Sequence, residues 1–145
     1  LVGSEMCIRD RDPVAEKHQV RLIQTDGDCT VTGSYILLYR AVYNLVENAI
    51  KYNRPSGSVT VSIHTAESAV LEVTDTGIGI SPENQEKIFD PFYRVDKSRS
   101  RAMGGAGLGL ALVSEIARQH NGQVKVTQSS EKGSTIALML PVTLL

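Results

Sequence analysis

Hydrophobic and polar residues alternate along several stretches of the chain, which is the pattern of strands with one buried face. Val59 to His64 and Ala69 to Thr74 flank a short polar turn and predict an antiparallel hairpin. Gln123 to Gln128 and Ser134 to Leu140 predict a second hairpin through the turn at 131–133. A weaker alternation, Val20 to Gln24, predicts a short strand, with Thr30 to Thr32 as a possible partner across Asp26-Gly27-Asp28.

Two longer stretches have helical periodicity. Ser34 offers an N-cap oxygen for a helix that we expect to run to about Asn53, where Arg54-Pro55-Ser56-Gly57 breaks it. A second helix is expected from about Gly107 to His120, with Gly122 placed to end it.

Between the hairpins the pattern is less regular. Pro82 to Ile88 predicts a short helix capped by Ser81. No periodicity survives from Asp90 to Ala106, and a loop of that length is usually functional or disordered. Helices and antiparallel strands mixed without strict alternation predict an α+β fold, a two-layer sandwich with a mixed, mostly antiparallel sheet covered by helices on one face. The glycine patterns of P-loop and Rossmann sites are absent from the sequence.

Composition narrows the functional classes. The chain has 145 residues, of which 41% are hydrophobic, enough for one domain with a real core. Its formal net charge of -1 gives no basic excess to favour nucleic acid as a partner. Cys7 and Cys29 match no disulfide or metal-ligand spacing, which fits the cytoplasm, and no apolar run approaches membrane-spanning length. Residues 1–11 lack periodicity and are interpreted as a non-native tail or a linker, with the domain at 12–145.

The first long helix carries a polar stripe. Asn44, Asn48 and Lys51 fall within about 60° of one another on a helical wheel, and Tyr52 lies beside them. Asparagine carbonyl oxygens are hard ligands of the kind Mg²⁺ prefers beside phosphates, and a lysine supplies a point charge for those phosphates. The alternative is a solvated polar face whose lysine is favoured by the helix dipole.

Three further features carry chemistry. Asp75 ends a predicted strand just before Gly77 and Gly79. Its carboxylate could accept a hydrogen bond from an exocyclic amine, which would select adenine over guanine, and the glycines would let the backbone approach a ligand closely. The alternative is an ordinary surface turn, since Asp and Gly are turn formers. The glycine-rich run 104–109 lies at the start of the second helix, where unpaired backbone N–H groups can bind phosphate. The alternative is that this run is only a flexible linker. The loop before it is cationic, and we expect Arg94 and Arg99 to act on a triphosphate rather than be merely solvated.

Together these features resemble the ATP-binding catalytic domain of sensor histidine kinases, in the Bergerat-fold superfamily of gyrase, heat-shock-chaperone and mismatch-repair ATPases. The resemblance covers essentially 12–145. Residues 44–52 resemble the family's N box, 75–79 its G1 box, 89–92 its F box and 105–109 its G2 box, while 133–135 lie where the final glycine-threonine signature falls.

The resemblance implies a role for each matching residue. Asn48 would coordinate Mg²⁺ with Asn44 nearby, Lys51 would bind phosphates and Tyr52 would lie beside adenine. Asp75 would bind the adenine amino group, with Gly77 and Gly79 making room. The remaining positions assigned to ATP lie in the lid and the final signature: Gly105, Gly107, Leu108, Gly109 and Thr135.

Two features of the sequence bear on the reaction that the resemblance implies. Hydrolysing branches place a general-base glutamate one turn before the metal-binding asparagine, where this chain has Asn44. Glu47 is adjacent to Asn48 and should point elsewhere, so hydrolysis should be slow.

The histidines also matter. None of His18, His64 and His120 has the sequence setting of a phosphoacceptor, and each is interpreted as a surface histidine. The chain is therefore expected to be a monomeric fragment that donates the γ-phosphoryl of ATP to a separate histidine-bearing dimerisation domain, and through it to a response regulator. The parent would be cytoplasmic or anchored in the inner membrane. The alternatives are an ATP hydrolase, an anti-sigma-type serine kinase, or a non-catalytic nucleotide-sensing module.

Overall fold

The computed structural model describes residues 19–25, 27, 29–93 and 109–142. Two α-helices lie in these ranges, α1 (Tyr35–Lys51) and α2 (Gly109–Gln119). The five strands are β1 (Arg21–Gln24), β2 (Ser58–Thr65), β3 (Ala69–Asp75), β4 (Gln123–Ser130) and β5 (Gly133–Leu140). Among the described residues, no helix is both long and apolar enough to cross a bilayer.

The strands form one mixed sheet in the order β1-β2-β3-β5-β4. Both predicted hairpins are confirmed, since β2 pairs antiparallel with β3 and β4 pairs antiparallel with β5. The two hairpins are joined through β3 and β5, also antiparallel, so that Thr74 lies opposite Thr135. This α+β arrangement confirms the predicted fold class.

The predicted partner of β1 is wrong. Residues 30–32 form no strand, and β1 instead pairs in parallel with β2, with Arg21 opposite Ser58. Gly27 has a φ of 151°, and a Cβ built there would lie 2.1 Å from the carbonyl oxygen of Ile63. The chain after β1 therefore passes against the backbone of β2 instead of turning back into a local hairpin. Short polar turns favour hairpins, but here β1 forms the edge strand of the sheet by pairing with β2, which is distant in sequence.

One face of the sheet and one face of each helix form the core. On α1 the buried residues recur at helical spacing and include Leu38, Val42, Leu45, Val46 and Ala49. They pack with buried residues of α2 and of the strands, including Val113, Ile116, Val59, Val61, Val73, Ile136 and Leu138. Burial of this apolar face, more than helix propensity, holds α1 in place.

Two helix ends and one predicted short helix differ in detail from the prediction. Helix α1 begins as expected, with the Ser34 hydroxyl accepting from the Leu37 amide at 3.3 Å, but it ends at Lys51 rather than near Asn53. The expected helix at 82–88 is instead two 3₁₀ turns, Pro82–Asn84 and Lys87–Phe89. At the end of α2, Asn121 takes the left-handed conformation with φ 60°. Gly122 is needed for close approach to β5, because a Cβ there would lie 2.1 Å from the Met139 carbonyl oxygen.

Candidate nucleotide-binding site

Asp75 ends β3 with its carboxylate held by three hydrogen bonds. Its Oδ1 accepts from the backbone amides of Gly77 at 2.9 Å and Ser134 at 3.3 Å, and its Oδ2 accepts from the Ser134 hydroxyl at 3.0 Å. Burial raises the pKa of the Asp75 carboxyl, and the hydrogen bonds from Gly77 and Ser134 oppose that rise. The carboxylate is thus a fixed, partly desolvated acceptor, and further donors can still reach Oδ2 because a carboxylate oxygen accepts more than one hydrogen bond.

The serine before Thr135 makes this contact, and Thr135 does not. Because Thr74 lies opposite Thr135 in the ladder, Ser134 falls beside Asp75 at the end of the same two strands. The Thr135 hydroxyl is instead 2.9 Å from the Thr74 hydroxyl, and its residue is buried. The structure therefore brings Ser134, and not Thr135, to the Asp75 carboxylate, while the role of Thr135 at the ATP site stays a prediction.

Close backbone contacts at three glycines explain the shape around Asp75. A Cβ at Gly77 would lie 2.3 Å from the Tyr52 carbonyl oxygen. At Gly79, where φ is 78°, it would lie 2.0 Å from the Ser130 carbonyl oxygen. At Gly133, where φ is 134°, it would lie 2.0 Å from the carbonyl oxygen of Asp75 itself. The end of α1, the end of β3 and the β4–β5 turn can meet only because these side chains are absent.

A buried asparagine ties the end of α1 to the same place. The Asn53 amide donates to the Ser58 carbonyl oxygen at 2.8 Å, and its own oxygen accepts from the Thr76 hydroxyl at 2.9 Å and from the Arg54 amide at 2.8 Å. The Thr76 hydroxyl in turn accepts from the Ser58 amide at 2.9 Å. This network fixes the distance between α1 and the residue after Asp75, so it positions both halves of the site.

The polar stripe of α1 leads directly to this junction. Tyr52 caps α1, its amide donating to the Asn48 carbonyl oxygen at 3.2 Å, and its own carbonyl oxygen lies against Gly77. Asn48 is therefore one turn before the residue whose carbonyl oxygen lies against Gly77. Within the part of the chain that the structure describes, no hydrogen bond engages the Asn48 side chain, which leaves its amide oxygen available for a ligand. Tyr52, Gly77 and Asp75 thus lie close together, with Asn48 one turn back along α1, and their roles in binding stay a prediction.

The other two polar residues of α1 already have partners. The Asn44 amide donates to the Gly109 carbonyl oxygen at 3.4 Å, which links α1 to the first residue of α2. The Lys51 ammonium lies 3.6 Å from the Glu47 carboxylate, one turn earlier. Glu47 thus points along the helix towards Lys51, as expected of a residue that is not a general base beside Asn48.

The 3₁₀ segment ends at an aromatic pair with opposite environments. Phe89 packs against the core, whereas Phe92 is 68% exposed with φ 64°. The Tyr93 hydroxyl donates to the Asn84 side-chain oxygen, and the Gln85 amide donates to the Ile80 carbonyl oxygen at 3.0 Å. These bonds anchor the segment before the cationic loop to the glycine-rich turn after Asp75. The predicted site residues Arg94, Arg99, Gly105, Gly107 and Leu108 lie outside the described residues.

Among the described residues, no group of three histidine, cysteine or acidic side chains is placed to hold a metal ion. Any divalent ion here would have to be shared between the Asn48 amide oxygen, water and the phosphates of a ligand, which is the usual way that Mg²⁺ is held at nucleotide sites. The amide oxygen of Asn48 is a hard donor and fits that form of binding.

Sequence reasoning missed three residues that build the site: Asn53, Thr76 and Ser134. Thr76 and Ser134 lie inside recognised motifs and Asn53 lies next to one, and the role of each depends on which strand ends lie together. The signal that could have identified Ser134 was the register of β5 on β3. One histidine was also misjudged. His120 is partly buried and hydrogen-bonded to two segments, so its interpretation as a surface residue is wrong.

Comparison with known proteins agrees with this geometry. A family model described as Histidine kinase-, DNA gyrase B-, and HSP90-like ATPase matches residues 33–144. The sensor-like histidine kinase SenX3 of Mycobacterium tuberculosis is 46% identical over 123 residues, which are 82% of this chain and 30% of that protein. The sensor histidine kinase WalK of Bacillus subtilis is 39% identical over 139 residues, 92% of this chain and 23% of that protein.

A solved structure covers the same unit. The mycobacterial sensor histidine kinase MprB is 30% identical with a TM-score of 0.81, over 98% of this chain and 95% of that one. The chain spans less than a third of the curated relatives SenX3 and WalK. It belongs to the histidine kinase-, DNA gyrase B- and HSP90-like ATPase family, and within that family its relatives are the ATP-binding catalytic domains of sensor histidine kinases.

Proposed function

We propose that this domain binds Mg²⁺–ATP between α1 and the end of β3 and donates the γ-phosphoryl group to a histidine on a separate dimerisation domain. The observation that carries the proposal is the Asp75 carboxylate, held by Gly77 and Ser134 where Gly77 lies against the Tyr52 carbonyl oxygen at the end of α1. Its partners are all donors, so its orientation is set before a ligand arrives. The exocyclic amine of adenine would donate to it, whereas guanine presents a carbonyl oxygen at the same place.

The residues of α1 fit the phosphate end of the same ligand. Asn48 offers an amide oxygen that no described residue engages. Lys51 can exchange its partly exposed pair with Glu47 for a phosphate, because pairs that water reaches contribute little. When bound, Mg²⁺ would neutralise phosphate charge and help align the leaving oxygen. Asn48 is the residue that would hold it. Arg94 and Arg99 are proposed to contact the phosphates, and the glycines at 105, 107 and 109 to approach them closely.

The environment of Asn44 favours phosphoryl transfer to a protein over hydrolysis. Asn44 stands where a hydrolase of this family would carry its general base, and its amide nitrogen donates to the Gly109 carbonyl oxygen. An amide cannot take a proton from water, and the Glu47 carboxylate is directed to Lys51. The domain therefore stabilises and positions ATP without activating water, which preserves the phosphoryl group for a protein acceptor.

The proposed partners follow from this chemistry. A histidine-bearing dimerisation domain of the same parent protein would accept the phosphoryl group, and a response regulator would receive it in a second step. The proposed location is the cytoplasm, with the parent protein anchored in the inner membrane. The domain itself is proposed to act as a monomer.

Phosphoryl transfer to a supplied acceptor tests the proposal. The domain is incubated with γ-labelled ATP, Mg²⁺ and the purified dimerisation domain of a sensor histidine kinase, with a matched acceptor whose histidine is replaced by alanine as control. We expect a label on the histidine-bearing acceptor that is lost in acid and retained in alkali, as for a phosphoramidate. Steady release of inorganic phosphate without an acceptor would instead identify a hydrolase, and a base-labile label on a serine would identify a serine kinase.

A further inference from the structure

Helices α1 and α2 run past each other and are joined by side-chain hydrogen bonds at both ends of their contact. At one end the Asn44 amide donates to the Gly109 carbonyl oxygen at the start of α2. At the other end His120, which follows the last residue of α2, contacts Ser34, the N-cap of α1. The relative position of the two helices is therefore set at two points, of which only the first belongs to the nucleotide site.

The contacts of His120 define its protonation state. The Ser34 backbone amide is 3.1 Å from Nε2, and an amide can only donate, so Nε2 must carry a lone pair. The Ile116 carbonyl oxygen is 2.8 Å from Nδ1, and a carbonyl can only accept, so Nδ1 must carry the proton. The tautomer with the proton on Nδ1 satisfies both contacts, so that each ring nitrogen has a backbone partner.

The absence of a side chain at Gly33 makes room for the His120 ring. A Cβ built on Gly33 would lie 2.3 Å from Cδ2 and 2.6 Å from Nε2 of His120, so the ring occupies the space that any other residue at 33 would fill. By contrast, His64 is half exposed on β2, where its Nδ1 lies 3.5 Å from a carboxylate oxygen of Glu72. Of these two histidines, only His120 is held by backbone groups of two different segments.

The groups that the described residues place on the two ring nitrogens, the Ser34 amide and the Ile116 carbonyl, do not titrate, and neither does Gly33 beside the ring. The ionisable side chains of the segments packed there are Cys29 before α1, Tyr35 in its first turn, and Glu115 and Arg118 on α2. The last two bind each other at 3.0 Å, and the Tyr35 ring stacks on that of Tyr39.

We propose that His120 is a positioning residue for the nucleotide site: as the neutral, Nδ1-protonated tautomer it ties the end of α2 to the start of α1. This inference rests on the proposed function. It implies that His120 maintains the spacing between the helix that carries Asn48 and the helix that starts at Gly109. Protonation of Nε2 would place its N–H group against the Ser34 N–H group and break that hydrogen bond. Acid should therefore weaken the contact between the end of α2 and the start of α1, and with it nucleotide binding.

Three variants separate this role from a general loss of stability. His120→Phe fills the same space without either hydrogen bond, and His120→Gln keeps an amide oxygen that can accept from the Ser34 amide. His64→Gln is the matched control, since it removes a histidine on the far side of the sheet from α1. Calorimetry with a non-hydrolysable ATP analogue and Mg²⁺, well below the unfolding temperature and from about pH 8 to pH 5.5, gives the dissociation constant of each folded protein.

We expect His120→Phe to weaken binding about 3- to 10-fold at pH 8, within the range that one net hydrogen bond supplies, and His120→Gln to restore much of the loss. The ratio of wild-type to His120→Gln affinity should fall as the pH is lowered, whereas the ratio of wild-type to His64→Gln affinity should stay constant. Protonation of the nucleotide is common to all four proteins and cancels in these ratios. Ratios that do not change with pH, or equal affinities of wild type and His120→Phe, would overturn the inference while leaving the proposed function intact.

The imidazole ¹⁵N spectrum of the full chain without nucleotide tests the tie directly. At pH 8 the ring should show a protonated Nδ1 and an unprotonated Nε2, and the opposite tautomer or an average of the two would overturn the proposal. If the wild type binds no ATP analogue, the proposed function fails, and with it the nucleotide-positioning role.

Discussion

Ser134 on β5 donates to the Asp75 carboxylate on β3 from both its backbone amide and its hydroxyl, at 3.3 and 3.0 Å. These two bonds span adjacent strands of one sheet and add to the bond from Gly77 in the chain segment that follows. A surface turn would leave this carboxylate to water. Here the sheet itself orients it, which is the property that a base-reading residue needs.

The first prediction concerns the charge at Asp75. Two backbone amides fix Oδ1 as an acceptor, so in Asp75→Asn the amide oxygen should occupy that side and the NH₂ group the Oδ2 side. A donor would then face the amino group of adenine. We expect calorimetry to show affinity for an ATP analogue lowered about 10- to 100-fold, the cost of losing a hydrogen bond to a charged group. Glu72→Gln, on the same strand, is the matched control and should bind as the wild type does.

The second prediction concerns pH. Burial raises the pKa of Asp75 in the free protein, and donation from a bound adenine would lower it again, because such a bond favours the charged form. Binding should therefore release a proton near the free-state pKa, and affinity should fall as the pH is lowered through that value. The fall should begin at a higher pH than for an ordinary aspartate. Proton release measured by calorimetry in buffers of different ionisation enthalpy checks this, and equal release by Asp75→Asn would contradict it.

The same shift has a consequence for stability. For an acid whose pKa is raised by folding, the stabilising contribution is present below the unfolded-state pKa and is lost as the pH rises through the folded-state pKa. At neutral pH the charged Asp75 therefore costs stability. Denaturant titration at pH 7 should find Asp75→Asn at least as stable as the wild type. A clearly less stable variant would mean that the three hydrogen bonds outweigh the desolvation of the carboxylate.

The third prediction compares neighbours on β5. Ser134→Ala removes the hydroxyl bond to Asp75 and should weaken ATP-analogue binding about 2- to 10-fold, the range of one net hydrogen bond. Thr135→Val removes only the contact with Thr74, so it should cost stability of about 1 kcal/mol and leave affinity unchanged. The reverse pattern would show that Thr135 is the binding residue, as its place in the family signature suggests.

The fourth prediction concerns two glycines. Gly77→Ala would bring a methyl group to 2.3 Å from the Tyr52 carbonyl oxygen, and we expect destabilisation of about 1–3 kcal/mol by denaturant titration. The nearest atom to a Cβ on Gly109 is 4.0 Å away, so Gly109→Ala should be tolerated. If Gly109→Ala nevertheless lowers affinity with unchanged stability, close backbone approach to phosphate is the reason for that glycine. Equal stability of the two variants would contradict the packing described around Gly77.

The fifth prediction concerns the metal. Asn48→Ala removes the amide oxygen proposed to hold Mg²⁺, so binding of the ATP analogue should lose most of its dependence on Mg²⁺. Calorimetry with and without Mg²⁺ measures this as the ratio of the two affinities. Glu47→Gln is the control, since its side chain points to Lys51, and it should keep the wild-type ratio. An unchanged ratio in Asn48→Ala would remove this residue from the metal site.

Local pattern was sufficient for most of the fold. The buried face of α1 and both hairpins follow from periodicity, because each is decided by residues close in sequence. The pairing of β1 with β2 and the register of β5 on β3 are decided by contacts between distant segments. For this reason a local partner was predicted for β1, and the contact of Ser134 with Asp75 was not anticipated.

The site was predictable where the residue type itself carries the chemistry. Asp75, Asn48 and the glycines beside them could be identified because few other residues serve those purposes. Asn53 and His120 could not, since their roles arise from backbone partners that only the folded chain brings near. From the sequence alone a buried asparagine and a hydrogen-bonded histidine cannot be told from surface residues, because their partners are distant in sequence.

The most direct test of the central claim is calorimetric titration of the chain with a non-hydrolysable ATP analogue and with its GTP counterpart, each with and without Mg²⁺. The account predicts binding of the ATP analogue that strengthens with Mg²⁺, and binding of the GTP analogue that is weaker by at least tenfold, about 1.4 kcal/mol. Equal affinity for the two nucleotides, or no affinity for either, would contradict the assignment of Asp75 and Asn48 to an adenine nucleotide site.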